Sequence, residues 1–507
     1  MLRIEQVQDI DTLRQLALLL DRENARLHER IKKLIEENSR LKGKDAVAAQ
    51  RELEFLKELL AQRERALFGD KSERRERSEE ASAADPAPRR GHGPKAQPKL
   101  PIVEQIHELD EPDRMCPKCG GTLTELAGQT EDSEEVTVVE RSFVIAKHRR
   151  KKYRCSCNGC VETAPAPPKL SVRSDARGRR YSIDFAAEVA IGKYLDHLPL
   201  ERQVRIMRRE GLDIDSQTLW DQIQALAGVL QPAEEAIRKR VLDSEQIGAD
   251  ESWWRLMEKK ASKKWWAWTT TSEDAVCYTI LDSRSHEAAR KVLNGYRGIV
   301  MADGYGAYDA LSRAGPGFTL VHCWAHARRK FIDAEPHYPG PCKEVLDLIG
   351  DLYAVERECP SPSRESDDEG RAGTLRLRAE LREKRSRKIV GKIKDWALAQ
   401  QVLPESSLGK AIAYMLGLWS GLTRFLDDPR VPLDNNATER ALRGLVVGRK
   451  NHYGSRSKRG TEVAALFYSL IETAKLVGVD PKAYLKKAAH AAIADRCRVV
   501  LPHELLT

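Results

Sequence analysis

The sequence predicts a multidomain α/β protein, and three patterns support this fold class. Leucines recur every seven residues near the N-terminus, five of the ten cysteines fall between residues 116 and 160, and strand-like segments alternate with helix-like ones after residue 245. The chain has 507 residues, which at roughly 100–200 residues per domain leaves room for several domains. A hydrophobic fraction of 41% is enough for buried cores, whereas 32% of charged residues indicates a highly hydrated surface.

The overall charge does not identify a partner. The net charge is only +9, because 86 Lys and Arg are offset by 77 Asp and Glu, so any argument for nucleic-acid binding depends on local clusters. We find no apolar run of about 18 residues and no signal-peptide pattern. The sequence therefore predicts a cytoplasmic protein without a membrane partner. In that reducing compartment cysteines are thiols or metal ligands more often than disulfides.

Residues 1–78 are predicted to form a coiled coil that makes the chain a homodimer or a higher oligomer. The heptad leucines are Leu13, Leu20, Leu27, Leu34 and Leu41. Placing them at position d puts Asn24 and Asn38 at position a, and isolated Asn there fixes register and strand number in parallel two-stranded coiled coils. The alternative is one long helix packed against its own protein. In either case the heptad phase breaks near Gly43.

Residues 79–101 are predicted to be a basic linker. Ala, Ser, Pro and Gly dominate this segment, which cannot bury enough apolar area to fold alone. Arg89 and Arg90 lie at its centre. The linker is either a simple tether or an arm that lies in a DNA minor groove, as short Arg-containing arms do, and composition does not separate the two.

Residues 102–170 are predicted to form a zinc-binding module. Cys116 and Cys119 form a C-x-x-C knuckle followed by two glycines, and Cys157 and Cys160 repeat the spacing on a second cluster. Tetrahedral Zn²⁺ in structural sites takes four such ligands, which leaves no open position for catalysis. Cys155 is an alternative to either cysteine of the second pair. The zinc would therefore organise the fold.

Residues 171–240 are predicted to form a helical DNA-binding region. Helical apolar spacing covers residues 183–194, 200–209 and 216–230. Gly211 separates the second helix from the third, and a short Gly-containing turn is compatible with a helix-turn-helix, although many structural helix pairs share it. Arg205 and Arg208, beside Arg202 and Arg209, make the second helix the predicted DNA contact.

Residues 241–475 are predicted to form the catalytic domain, with a helical insertion at about residues 334–430, and residues 476–507 a helical tail. The strand-like segments are 246–252, 265–271, 275–281, 298–302 and 318–323. A helix-like segment at 285–292 divides the first three from the last two, and this order is that of an RNase-H-like α/β core. Asp250 lies on the first strand and Asp303 ends the fourth, positions that face each other in such a core.

Glu439 is the predicted third carboxylate of this site. It follows Asp434, Asn435 and Asn436, which favour a helix N-terminus and are expected to aim it. Three carboxylates can hold two Mg²⁺ (or Mn²⁺) ions about 3.5–4 Å apart for phosphoryl transfer. A Glu at a helix start that pairs with a nearby Arg is the plainer alternative.

Other residues compete for these roles. Glu251 and Asp309 are alternatives at the first two positions, and Asp434 at the third. Cys323 and His326, with His322, have the spacing of metal ligands, but we expect them to orient the strand–helix junction.

A basic run follows Glu439 along the chain. Residues 440–459 contain seven Lys or Arg and neither Asp nor Glu. Such a cluster beside a carboxylate site predicts contacts with the phosphates of DNA. The predicted contacts are Arg440, Arg443, Arg449 and Lys450.

These motifs together resemble one family, the DDE transposases of insertion sequence 66. The motifs are Phe68-Gly69 with Lys71-Ser72-Glu73, the CPKCGG knuckle, residues 193–200 (KYLDHLPL), Gly248-Ala249-Asp250-Glu251, Ala302-Asp303-Gly304-Tyr305, residues 323–329 (CWAHARR) and Asp434-Asn435-Asn436 through Arg449-Lys450-Asn451. The resemblance covers nearly the whole chain. The family's second cysteine pair is usually a simple C-x-x-C, so the additional Cys155 leaves the zinc ligand set open.

The resemblance implies a bacterial transposase that uses metal ions on Asp250, Asp303 and Glu439 to nick and join DNA strands without a covalent protein–DNA intermediate. It implies double-stranded DNA of the element ends and the target as substrate, and small accessory proteins of the same element as partners. A catalytically silent, zinc-containing DNA-binding regulator is the rival interpretation. A further rival is a structure-directed nuclease that cuts without joining.

Overall fold

A computed structural model of the chain describes most residues after residue 141 and few before it. The described residues are 29, 33, 51–52, 54–59, 61, 115, 117–123, 142–154, 156, 160–170, 181–257, 262–314, 317–359, 368–495 and 498–506. The heptad leucines of the predicted zipper, Arg89, Arg90, Cys116, Cys155 and Cys157 lie outside them. The chain divides into two compact units, residues 67–141 and residues 1–66 with 142–507.

In the unit of residues 67–141 the described segment is the predicted cysteine knuckle. Met115 and Thr122 form an isolated antiparallel bridge around a turn at residues 117–119. Gly120 has a φ of +74°, a left-handed conformation that glycine adopts without steric cost. The local backbone is therefore that of a tight turn, as the two glycines after Cys119 predict.

The larger unit begins with a small hairpin and three helices. The strands are β1 (Lys152–Arg154) and β2 (Val161–Thr163), and the helices are α1 (Ile183–Tyr194), α2 (Leu200–Arg209) and α3 (Ser216–Leu242). Asp215 caps α3 by accepting a hydrogen bond from the Thr218 N–H at 2.7 Å, and Gly211 (φ +85°) forms the turn before it. The prediction that α3 ends at residue 230 was wrong, because the helix continues through Pro232. Its apolar face stays buried at Ala233, Ile237 and Val241.

A five-stranded mixed sheet follows, and it confirms the α/β class. Its strands are β3 (Gln246–Met257), β4 (Ser262–Thr271), β5 (Val276–Leu281), β6 (Ile299–Ala302) and β7 (Thr319–His322), in the spatial order β5-β4-β3-β6-β7. The first three strands pair antiparallel, whereas β6 and β7 extend the sheet in parallel. Both β3 and β4 are longer than predicted, because Trp253 and Trp254 pair across the strands with Trp266 and Trp265.

Helices connect and cover this sheet. Between the strands lie α4 (His286–Leu293) and α5 (Gly306–Arg313), and after β7 the chain forms α6 (Trp324–Ala334), α7 (Pro339–Glu358), α8 (Asp368–Leu381), a π-helical turn (Arg382–Ser386), α9 (Arg387–Ala399), α10 (Ser407–Gly417), α11 (Trp419–Thr423) and a 3₁₀ turn (Arg424–Leu426). The last elements are α12 (Asn436–His452), α13 (Lys458–Leu476), α14 (Pro481–Ala494) and a 3₁₀ turn (Pro502–Leu505).

Two buried clusters hold this unit together. One joins α1, α3, α13 and α14 to the β3–β5 part of the sheet, and α13 is tied to β5 because the Thr473 and Ser469 hydroxyls accept the Val276 and Tyr278 N–H groups at 3.0 and 2.9 Å. The other surrounds Trp324 and Phe331 and packs the helices between residues 324 and 426 against β6 and β7 at Ile299, Met301 and Val321. Among the described residues, no helix is long and apolar enough to cross a membrane.

Candidate functional site

The parallel pairing of β3 and β6 brings the first two predicted carboxylates together. The register aligns Gln246 with Ile299 and Gly248 with Met301. Continuing it by two residues places Asp250 beside Asp303, on neighbouring strands that lie about 4.8 Å apart. Both side chains are therefore at the carboxyl end of the parallel strands, the edge at which open α/β sheets bind ligands.

The start of α12 is fixed directly over this edge. The Asn435 side chain donates to the Ala249 carbonyl at 3.0 Å, and the hydroxyls of Thr438 and Thr271 lie 2.6 Å apart. Gly248 faces the same contact, and a Cβ on it would lie 2.7 Å from Thr271 Oγ1 and overlap the Thr438 hydroxyl. The helix can approach the strand this closely only because residue 248 is glycine.

The loop before α12 differs from the predicted cap. Asn435 occupies the N-cap position, but its side chain binds β3 and the Thr438 hydroxyl instead of the first-turn N–H groups. Asp434 accepts hydrogen bonds from the Asn436 N–H and side-chain amide at 3.1 and 2.6 Å. These residues therefore aim Glu439 by fastening the loop to the sheet.

The three carboxylates interact electrostatically. Burial, followed by the negative charges of Glu251, Asp303 and Glu439, raises the pKa of Asp250 to about 8, although the Glu251 N–H donates to Asp250 at 2.7 Å and opposes the shift. Asp303 accepts the Tyr305 N–H at 3.0 Å, which fixes its orientation. Such a cluster repels itself unless protons or a cation neutralise it.

Glu439 also faces α6. His326 Nε2 lies 3.5 Å from Glu439 Oε1, and the Arg329 guanidinium 3.4 Å from Oε2. Glu439 Oε1 and His326 Nδ1 are buried and make no hydrogen bond within the described part of the chain. His326 is a residue whose position beside a carboxylate the sequence did not reveal, although its spacing from Cys323 drew attention to it.

Cys323 and His322 are both buried at the end of β7. The Cys323 thiol accepts the Asn435 N–H at 3.2 Å, and burial raises its pKa to about 12, so it is a neutral thiol that holds the loop before α12. Its Sγ nevertheless lies within 4.8 Å of the ligand atoms of His326 and Glu439, a grouping that could hold a metal ion. His322 is buried against Gly421, where an added Cβ would overlap its ring.

The alternative carboxylates have protein partners. Glu251 accepts two hydrogen bonds from Arg284 at 2.8 and 2.6 Å and one from the Tyr308 hydroxyl at 3.0 Å. Its side chain is 1% exposed. Asp309 pairs with Arg313 on α5. The geometry therefore favours Asp250 over Glu251, its neighbour on the opposite face of β3.

The clamp that Arg284 and Tyr308 form on Glu251 was not predicted from the sequence. The Arg284 guanidinium carbon lies 3.9 Å from the ring centroid of Tyr305 and 4.9 Å from that of Trp266. The residues next to Arg284 in the sequence form no pattern that would identify Arg284 as the partner of Glu251. The clamp fixes Glu251 in place, and the charge of Glu251 still contributes to the raised pKa of Asp250.

The predicted DNA contacts separate into two groups. Arg440, Arg443 and Lys450 are exposed along one side of α12, and Arg205 and Arg208 are exposed on α2. The prediction that Arg449 contacts DNA was wrong, because its side chain is buried, with 7% exposed. Its guanidinium donates to the Ser252 hydroxyl at 2.9 Å and to the Trp253 carbonyl. Arg449 therefore anchors α12 to β3.

Of the predicted zinc ligands the structure describes Cys119 and Cys160. Both are exposed thiols, and they belong to different compact units. In the knuckle an added Cβ on Gly121 would lie 3.5 Å from Cys119 Sγ, so the turn keeps the chain close to the sulfur. The second glycine of the knuckle thus suits a metal-binding turn.

Comparison with known proteins gives two family matches. Residues 178–463, more than half of the chain, match the family described as "Transposase IS66 family". Residues 113–158 match the "zinc-finger binding domain of transposase IS66". The described part of the first match contains the sheet, Asp250, Asp303 and Glu439.

Three similar proteins come from Sinorhizobium fredii, and each is called uncharacterized. Protein y4jD is 30% identical over 414 residues, which cover 78% of this chain and 77% of the relative. Protein y4qI is 30% identical over 520 residues, which cover 94% of this chain and 93% of the relative. Protein y4hP is 28% identical over 424 residues, which cover 78% of this chain and 73% of the relative. The similarity therefore extends well beyond the matched domains.

Proposed function

We propose, because the chain belongs to the IS66 family of transposases, that it cuts DNA strands at the ends of an insertion sequence and joins them to target DNA. The observation that carries this proposal is the meeting of Asp250, Asp303 and Glu439 at one edge of the sheet. These residues come from two parallel strands and a helix nearly 140 positions further along the chain. Of the competing carboxylates, Glu251 pairs with Arg284 on the opposite face of β3, and Asp309 pairs with Arg313 on α5.

The strand order supports an RNase-H-like core. Three antiparallel strands are followed by two parallel ones, with the first strand at the centre of the sheet. In this arrangement the end of the central strand, the end of its parallel neighbour and one covering helix converge. The helices α7 to α11, between residues 339 and 423, would be the insertion predicted at about residues 334–430, placed between the last strand and the third carboxylate.

The three carboxylates fit divalent cations. Hard oxygen ligands suit Mg²⁺ or Mn²⁺, and the raised pKa of Asp250 together with the unsatisfied Glu439 Oε1 marks a site with excess negative charge. When bound, such ions supply the Lewis acidity that phosphoryl transfer requires. Asp250, Asp303 and Glu439 would hold them.

The surrounding residues position these groups. The Tyr305 N–H orients Asp303, and the Asn435 and Thr438 contacts fix the helix that carries Glu439. The exposed Arg440, Arg443 and Lys450 would contact DNA phosphates beside the site. Arg449 holds α12 to the strand that bears Asp250.

The remaining predictions complete the proposal. Arg205 and Arg208 of a helix-turn-helix, with Arg89 and Arg90 of the linker, would bind the element ends, and the segment 1–78 would form the coiled-coil dimer. The family also implies accessory proteins and a bacterial cytoplasmic setting. Zinc would be held by Cys116, Cys119 and two of Cys155, Cys157 and Cys160. The zinc-finger match at residues 113–158 contains Cys116, Cys119, Cys155 and Cys157.

The test is a strand-transfer assay with the element's own ends, Mg²⁺ and any accessory proteins. Asp250→Asn, Asp303→Asn and Glu439→Gln should each abolish cleavage and joining while end binding persists. Asp347→Asn, an exposed acid paired with Lys343 on α7, is the control that should stay active. Activity that survives in the three variants would overturn the proposal. End binding without cleavage by the unmodified protein would establish the silent regulator, and cleavage without joining the nuclease.

A further inference from the structure

We propose that the end of β3 beyond Asp250 binds an unpaired base of the DNA strand through the ring of Trp253. This inference rests on the proposed function, since it concerns the same DNA end. It adds a nucleotide-binding surface, which we call the β3 platform, made of Trp253, Arg255, Lys263 and Lys264.

The β3 platform lies on a strand that projects past its parallel neighbour. Strand β6 pairs with β3 only as far as Gly248, whereas β3 continues to Met257. The chain after α12 returns to this edge, where the Ser455 N–H donates to the Arg255 carbonyl at 3.0 Å. Trp253 therefore lies between two points at which β3 is held, the pairing with β6 as far as Gly248 and the Ser455–Arg255 hydrogen bond.

Trp253 and Trp254 have opposite surroundings. Trp254 is fully buried and donates its indole N–H to the Ser455 hydroxyl at 3.2 Å. Trp253 is 39% exposed, although large aromatic side chains at strand edges gain free energy from burial. The Arg449 guanidinium carbon lies 3.9 Å from the Trp253 ring centroid, which fixes the ring, whereas that of Arg255 is more distant at 5.9 Å.

Basic side chains surround this exposed ring. A cleft of about 260 Å³ is lined by Trp253, Trp254, Arg255, Lys263 and Lys264, and none of these residues is acidic. From Arg255 to Lys264 the sequence holds five Lys or Arg and one Glu. The charge is complementary to a polyanion. The combination of an exposed ring and cations is the one by which proteins bind unstacked bases of single strands.

The position suits a base some nucleotides away from the scissile phosphate. Trp253 is three residues beyond Asp250, about 10 Å along the strand, and because the β3–β4 pairing is unbroken its side chain lies on the face of Glu251 and not on that of Asp250. The base on Trp253 would therefore belong to a single-stranded tail of the same DNA end, and not to the nucleotide held at Asp250. Stacking on the ring requires that the base leave the duplex, and proteins that act inside DNA commonly meet that cost with an aromatic side chain.

The experiment compares single-stranded and duplex DNA with the zinc-loaded full chain in a buffer without chelator, Mg²⁺ or Mn²⁺, so that no cleavage occurs. Trp253→Ala should weaken the binding of a short oligothymidine about 5- to 100-fold, the range expected for the loss of one stacked base. Binding of a blunt duplex should be unchanged, and Trp253→Phe should retain affinity for both DNAs. Leu398→Ala, an exposed apolar residue of α9, is the matched control and should bind like the unmodified protein.

A local measurement separates this surface from other DNA-binding regions. 2-Aminopurine placed in the single-stranded tail of an end duplex should be quenched by the unmodified protein and by Trp253→Phe, but not by Trp253→Ala. Equal losses for oligothymidine and duplex, or quenching that survives Trp253→Ala, would overturn the proposal. Unchanged DNA binding with a smaller assembly in sedimentation would show a protein interface instead. Because binding is measured without cleavage, failure of the catalytic proposal would leave this result intact.

Discussion

Substitution of Gly248 by alanine tests whether the close contact between β3 and α12 positions the site. An added Cβ would lie 2.5 Å from Asn435 Oδ1 and 2.7 Å from Thr271 Oγ1, and closer still to the Thr438 hydroxyl. Ordinary contacts to a Cβ begin at 3.4 Å. The start of α12 must therefore move by about 1 Å, and Glu439 with it, a displacement that can cost an active site about 100-fold in rate.

The stability cost follows from the same contact. Overpacking of this kind destabilises by about 1–3 kcal/mol, and each neutral hydrogen bond that is broken adds about 1 kcal/mol. The measurements are the free energy of unfolding in urea and the rate of single-strand cleavage at an end. Gly391→Ala is the matched control, because its Cβ would meet nothing within 4 Å on α9. In a helix that change should stabilise by about 0.5–1 kcal/mol.

A second substitution, at Thr438, tests whether the overlap with its hydroxyl causes the loss. Thr438→Ala removes the hydroxyl that the new Cβ would overlap, so Gly248→Ala with Thr438→Ala should recover part of the lost stability. The coupling between the two sites in a double-mutant cycle should be about 0.5–3 kcal/mol, as for residues in contact. If Gly248→Ala alone kept unmodified stability and cleavage, or if the two changes were additive, α12 would not be fixed to β3 as described.

Two further predictions concern the charges of the site. Without Mg²⁺ or Mn²⁺, but with zinc retained, the folded protein should lose stability as pH rises from about 4 to 8, because the pKa of Asp250 is raised to about 8 and the folded state binds its proton more tightly than the unfolded state does. Asp250→Asn should flatten this slope in thermal melts, and an unchanged slope would contradict the assignment. His326→Ala should weaken Mn²⁺ binding about 10- to 100-fold, because His326 lies beside Glu439. Calorimetry measures this affinity, and equal affinity in the variant would show that His326 has only a packing role.

The regular part of the sheet could be predicted because its residues obey local rules. Strands β5, β6 and β7 are short and apolar, and turn residues bound them. The end of β3 could not be predicted, because the alternation of buried residues changes phase between Glu251 and Trp254. Both Trp253 and Arg255 are exposed there. Here β3 pairs with β4 but extends past β6, so the faces of this two-stranded segment are covered differently from those of the rest of the sheet.

The candidate site was only partly predictable for a different reason. Asp250 and Glu251 are adjacent in sequence, and either could have been the acid of the first strand. What distinguishes them is Arg284, which lies 33 positions beyond Glu251 and pairs with it. For Arg449 the basic run predicted a phosphate contact, but the helix turns this side chain towards the Trp253 carbonyl. Counts of charge in a run do not report which side of a helix meets the sheet.

The placement of Glu439 depends on contacts that span long stretches of sequence. The Asn435 side chain binds the Ala249 carbonyl across 186 positions, its N–H binds the Cys323 thiol across 112, and Thr438 meets Thr271 across 167. Each contact joins the loop before α12 to a different strand or strand end, so together they fix both its position and its direction. This explains why a long helical insertion can separate the third carboxylate from the first two. The inserted helices pack on Ile299, Met301 and Val321 of the sheet, and the loop after them is fastened to the sheet by its own contacts.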